Sequence, residues 1–163
     1  MNSPTGAVFS RCRSYRYLLW RRWDDSRLTV NFIGLNPSTA DETQDDPTMR
    51  RCRQFAQDWG YGAFLMTNLF AFRATKPTQL KMATDPVGPE NNKWIIEAAN
   101  HSRMVVFVWG THGPFQNRDD TIISLLEGRG YCISLTKHGH PAHPLYLKKN
   151  LRPVLFSKDL RAR

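Results

Sequence analysis

Six side chains with donor and acceptor chemistry recur where apolar runs stop: Asn36, Ser38, Asn68, Arg73, His140 and His143. A carboxamide carries donors and an acceptor, so Asn36 can hold a water through its oxygen and Asn68 can read the hydrogen-bonding edge of a nucleobase. A histidine can donate to an oxygen that gains negative charge in a transition state. Ser38, with neighbouring backbone amides, can clasp a phosphate, while Arg73, Lys76, Lys137 and Lys148 can lie along a nucleic-acid backbone. Phe70 or Phe72 can stack on a base, and core packing explains either at least as well. Rival chemistries fit less well. His138, His140 and His143 have no carboxylate or cysteine at a familiar ligand spacing, and Cys12, Cys52 and Cys132 form no C-x-x-C pair. No metal and no other cofactor is therefore expected. Ser38 lacks the G-x-S-x-G elbow of a serine hydrolase. Asp41, Asp45 and Asp46 can bind a cation, but helix capping explains Asp46 better.

The elements that must position these groups follow from periodicity and punctuation. Residues 15–23 mix arginine with aromatic and aliphatic side chains, as a sheet-edge strand does. Asp24-Asp25-Ser26 is turn chemistry, and the apolar run 28–35 follows, so an antiparallel hairpin is expected. That run stops at Asn36-Pro37-Ser38. Proline fixes its own φ and biases Asn36 away from helical geometry, so the loop is stiff. Asp46-Pro47 then reads as an N-cap with proline at the first helical position. Met49, Cys52, Phe55, Ala56 and Trp59 recur at helical spacing until Gly60. Buried strands are expected over 62–70, 103–109 and 131–135. The stretch from Ala71 to Val87 reads as a long loop, and Pro89 opens a second helix. A third helix is expected over 114–127, with Ile122, Ile123, Leu125 and Leu126 inward. This order predicts an α/β fold: a three-layer α/β/α sandwich with a mostly parallel central sheet plus an N-terminal antiparallel hairpin. In such sheets ligands bind beyond the carboxyl ends of the strands, where the polar residues fall.

The chain has 163 residues, which suits one domain with a substantial core. Its net charge of +9 points to a polyanionic partner, with nucleic acid favoured. The basic residues are spread along the chain, including Arg13, Arg16, Arg21, Arg51 and Lys149, as on a folded surface. Cys52 and Cys132 read as small core residues. No apolar run reaches membrane-span length and no secretory signal is evident, so a monomeric cytoplasmic protein with no membrane contact is expected.

Four segments carry a family resemblance: Leu35-Asn36-Pro37-Ser38-Thr39-Ala40-Asp41, Thr67-Asn68-Leu69-Phe70-Ala71-Phe72-Arg73-Ala74-Thr75, Trp109-Gly110, and Gly139-His140-Pro141-Ala142-His143-Pro144-Leu145-Tyr146. In these the chain resembles the domain-of-unknown-function family 1643 (DUF1643), from about Phe9 to Phe156. The motif order is more distantly similar to that of the uracil-DNA glycosylase superfamily. That resemblance implies a uracil-DNA glycosylase-like fold. It implies that Asn36 positions the attacking water, Asn68 recognises the base, a histidine stabilises the departing base and Leu145 fills the gap in the duplex. The chain departs from that pattern in three ways. An extra residue leaves His140 and His143 as alternative equivalents, Ala142 stands where serine is usual, and the iron–sulfur cysteines are missing. No strong general base occupies the first motif, so leaving-group stabilisation must carry most of the catalysis. The resemblance implies hydrolysis of the N-glycosidic bond of a damaged or modified, pyrimidine-type base in DNA, double- or single-stranded. The rivals are a hydrolase or transferase acting on a free nucleoside or nucleotide, and a non-catalytic nucleic-acid-binding module.

Overall fold

The computed structural model describes residues 3–157. In chain order the elements are β1 (Thr5–Phe9), β2 (Arg16–Arg22), β3 (Thr29–Gly34), α1 (Pro47–Asp58), β4 (Ala63–Asn68), α2 (Pro77–Met82), α3 (Asn91–Asn100), β5 (Met104–Phe107), α4 (Arg118–Leu125), β6 (Tyr131–Cys132) and β7 (Val154–Leu155). The strands form one mixed sheet in the order β1-β2-β4-β3-β5-β6-β7. Strands β4, β3, β5 and β6 are parallel and form its centre.

Alternation along the central strands makes the layers. Val30 and Phe32 on β3, with Val106 on β5 and Val108 just after it, pack against Met49, Cys52, Phe55 and Ala56 of α1. Their neighbours Ile33, Val105 and Phe107 point the other way, toward Ile95 of α3 and Ile122 and Ile123 of α4. A residue period of two therefore gives each central strand two buried faces, and helices cover both.

The expected hairpin is present at the N-terminus but is built from different strands. β2 pairs antiparallel with β1 and with β4, so β4 separates it from β3. Asp24 does make the expected turn, its carboxylate accepting from Ser26 N at 3.0 Å. The turn instead straddles the start of β4: Trp23 N donates to Gly62 O at 2.9 Å and Gly62 N to Leu28 O at 3.0 Å. Gly62 permits this crossing, because a Cβ there would lie 2.0 Å from the Asp24 carbonyl oxygen. Consequently β2 is an interior strand rather than an edge. Arg16 and Arg21 are each 1% exposed, so neither belongs to an exposed basic surface.

Other boundaries differ for local reasons. Asp46 caps α1 as expected, accepting from Met49 N at 2.9 Å. The helix expected over 114–127 is broken, because Gln116 and Asn117 take left-handed φ values of 53° and 54° and α4 begins only at Arg118. Ile122, Ile123 and Leu126 face inward, but Leu125 is exposed. The stretch from Ala71 to Val87 contains the six-residue α2. The strand expected over 131–135 joins the sheet at Tyr131–Cys132, and beyond it Leu135 makes only an isolated antiparallel bridge with Pro141. Cys52 and Cys132 are core residues, whereas Cys12 is exposed. Among the described residues no helix is long and apolar enough to cross a membrane.

Candidate functional site

From β3 the chain runs through α1 to β4 on one side, whereas β5 and then β6 lie on the other. The order of strands thus reverses between β3 and β5, and a crevice opens at the carboxyl ends of such neighbours. A cleft of about 500 Å³ lies there. Its walls include Gly34 at the end of β3 with Leu35 and Asn36 after it, Asn68 at the end of β4, Trp109 and Gly110 after β5, Asp46 and Met49 at the start of α1, and His143.

Asn36 is oriented by its own hydrogen bonds. Its Nδ2 donates to Pro37 O at 2.9 Å and to Ala74 O at 2.8 Å. Only the NH2 end of a carboxamide can serve two carbonyls, so these bonds fix which end is oxygen. The Oδ1 then remains as an acceptor beside the cleft. Proline at 37 and the anchor to Ala74 together hold this acceptor still.

Asn68 is the parallel neighbour of Gly34 and is 4% exposed. A Cβ on Gly34 would lie 2.8 Å from Asn68 Nδ2, so the glycine makes room for that amide. Behind it, Asn91 Nδ2 donates to Asn68 O at 2.9 Å and to Leu69 O at 3.0 Å. The N-terminal turn of α3 thereby pins the end of β4. Arg16 Nη2 reaches Asn68 Oδ1 at 3.4 Å, and Arg16 Nη1 donates to Ala40 O at 3.0 Å. Burial pushes the Arg16 guanidinium pKa down to about 10, partly opposed by the charge of Asp46.

Of the two candidate histidines, His143 lines the cleft and His140 does not. His140 is held in a turn, its N donating to Thr136 Oγ1 at 3.2 Å and its O accepting from Thr136 N at 2.8 Å. The segment between them docks on the end of β5 through Gly110 N donating to Pro141 O at 2.8 Å. Arg51 on α1 secures its far side by donating to Pro144 O at 3.3 Å and to Leu147 O. Leu145 N donates to His143 Nδ1 at 3.4 Å, which leaves the proton of a neutral ring on Nε2. Burial lowers the His143 pKa and Asp46 opposes that shift, so the burial effect favours the neutral ring.

The remaining expected residues divide. Ser38, Lys76 and Leu145 join Asn36, Asn68 and His143 on the cleft wall. Phe72 and Arg73 line an adjoining, more open cavity of about 590 Å³, which shares Ser38, Ala74 and Thr75 with the first. There Arg73 lies 4.9 Å from the Phe9 ring centre and donates to Arg13 O at 3.2 Å. Phe70 is fully buried against Phe115 in the core and touches neither cavity wall, so it is a packing residue and not a stacking platform. Lys137 and Lys148 are exposed and lie off both walls. Arg16, Thr48 and Tyr146 also line the cleft, although their sequence context did not single them out.

No curated protein and no solved structure matches the chain. The family model described as a protein of unknown function, DUF1643, matches residues 16–145, and the chain belongs to that family.

Proposed function

We propose that this cleft hydrolyses the N-glycosidic bond of a damaged or modified pyrimidine in DNA, in the manner of the uracil-DNA glycosylase superfamily that the motifs resemble. The observation that carries the reading is the Asn36 amide, whose nitrogen is committed to two carbonyls so that its oxygen is an acceptor on the same wall as Asn68 and His143. Asn36 Oδ1 accepts a hydrogen bond from the attacking water and aligns it with the anomeric carbon. Asn68 reads the edge of the extruded base. His143 Nε2–H donates to the base oxygen that becomes negative as the bond breaks. Asp46, the only acidic residue on the cleft wall among the described residues, supplies negative charge toward the cationic sugar. The proton balance closes when water gives its hydrogen to the departing base and its hydroxyl to the sugar, leaving an abasic site.

The rim fits this use. Leu145 is 37% exposed and Tyr146 is 87% exposed at the mouth of the cleft. Adjacent exposed apolar side chains suit insertion into the gap that a flipped base leaves. Lys76 on the wall and Arg73 in the adjoining cavity can contact flanking phosphates.

The test is incubation with oligonucleotides carrying uracil, thymine mismatches or 5-substituted pyrimidines, followed by detection of abasic sites. Abasic sites that disappear with Asn36→Ala support the reading. No cleavage of any substrate, with DNA bound equally by wild type and Asn36→Ala, refutes it. Activity confined to free nucleosides and insensitive to salt supports a nucleotide enzyme instead.

A further inference from the structure

Arg16 and Arg21 sit on the same strand and are equally buried, each 1% exposed, yet the protein satisfies them very differently. Arg21 pairs with Asp45 at 2.8 Å and donates to the carbonyl oxygens of Gly6, Trp20, Asp41, Glu42 and Gln44. Arg16 makes one good hydrogen bond, to Ala40 O at 3.0 Å, and one long one, to Asn68 Oδ1 at 3.4 Å. Its Nε has no partner, and it forms no ion pair among the described residues. A guanidinium offers several fixed donors and stays charged in proteins, so it cannot escape this deficit by losing its proton. Buried polar groups are normally satisfied, and a buried cation without an anion is the most unfavourable exception. Asp46 acts on Arg16 electrostatically but is not in ion-pair contact, and it accepts from Met49 N. Of the two arginines, only the under-satisfied one lines the cleft.

We propose that Arg16, beside Asn68, determines specificity by pairing with a negatively charged substituent on the substrate base, so that the preferred ligand is an acidic pyrimidine rather than neutral uracil. The inference rests on the base-binding reading of the cleft, but it concerns recognition rather than bond cleavage. A planar carboxylate on the ring matches the fork of a guanidinium. It supplies the missing anion while Asn68 reads the adjacent edge.

The experiment is calorimetric titration of the full chain with 5-carboxyuracil, uracil, 5-hydroxymethyluracil and inorganic phosphate. The carboxylated base should bind about tenfold or more tightly than the two neutral bases, the ratio supported by one charge-assisted hydrogen bond. Arg16→Met should remove the preference and Arg16→Lys should retain part of it. Equal affinities for charged and neutral bases in the wild-type protein would overturn the proposal, whatever the variants do. So would a preference that survives in Arg16→Met, or phosphate binding as tight as the carboxylated base. The titration needs no turnover. A carboxyl preference without abasic-site formation upholds this inference and counts against the glycosylase reading. Excision without such a preference does the reverse.

Discussion

Replacing Arg21 with methionine should destabilise the protein severely, although the side chain lies outside the cleft. Methionine preserves much of the length and fills the space, so the lost contribution is electrostatic rather than steric. The change removes the 2.8 Å ion pair to Asp45, leaving that carboxylate, among the described residues, only the more distant Arg53 at 3.9 Å. It also removes the Arg21 donor from the carbonyls of Asp41 and Glu42 in the loop leading to α1, from Gln44 O, which keeps Asp41 N at 3.1 Å, and from the carbonyls of Gly6 and Trp20 in the sheet. Breaking a buried pair by removing one partner costs about 3–5 kcal/mol. Each orphaned buried carbonyl can add about 1–3 kcal/mol, but most of these bonds are only partly buried and water can replace the donor. A total of about 4 kcal/mol is therefore expected, against a typical domain stability of about 5–15 kcal/mol. Equilibrium urea unfolding measures it through the midpoint at constant slope. Arg27→Met, at an exposed pair with Asp24, should shift the midpoint little. A loss below about 1 kcal/mol for Arg21→Met would refute the view that Arg21 clamps the loop.

Gly34→Ala should disturb the cleft more than the fold, because the new Cβ meets the movable end of Asn68 at 2.8 Å; ligand titration should weaken about tenfold or more while the melting temperature changes modestly. His143 should make stability depend on pH. Its folded pKa is lowered by burial, so its contribution is full above the unfolded value of about 6.5 and is lost as pH falls through the folded value. Unfolding measured between about pH 7.5 and 5 should show a smaller acid loss in His143→Gln than in wild type. Tyr146→Ala, at the exposed rim, should weaken binding to duplex DNA more than to single strands in a fluorescence titration, since only the duplex has a gap to fill.

Local chemistry made some of this architecture readable in sequence. Asp46-Pro47 announced the start of α1, and the apolar runs after Leu28, Gly62 and Arg103 became the three central parallel strands. The polar residues ending those runs came together because parallel strands deliver their carboxyl ends to one edge. What was hidden was non-local. Nothing in Asp24-Asp25-Ser26 reveals that the turn straddles Gly62, so the partner of β2 was misassigned, and with it the burial of Arg16 and Arg21. Strand β1 and the two-residue β6 and β7 are defined by pairing with neighbours rather than by a periodic signal. Phe70 and Phe72 are two residues apart and read alike, yet one packs on Phe115 in the core and the other lines the side cavity. His140 and His143 were equivalent in sequence until the docking of Pro141 on Gly110 separated them.

That separation gives the most direct test of the central claim. Single-turnover excision should be compared for wild type, His143→Ala and His140→Ala on the best-cleaved oligonucleotide, with DNA binding measured alongside. The account predicts that His143→Ala slows the chemical step by about 100-fold or more, the usual effect of removing an oxyanion donor, while His140→Ala stays within a few-fold of wild type. An unimpaired His143→Ala, or a loss confined to His140→Ala, would contradict it.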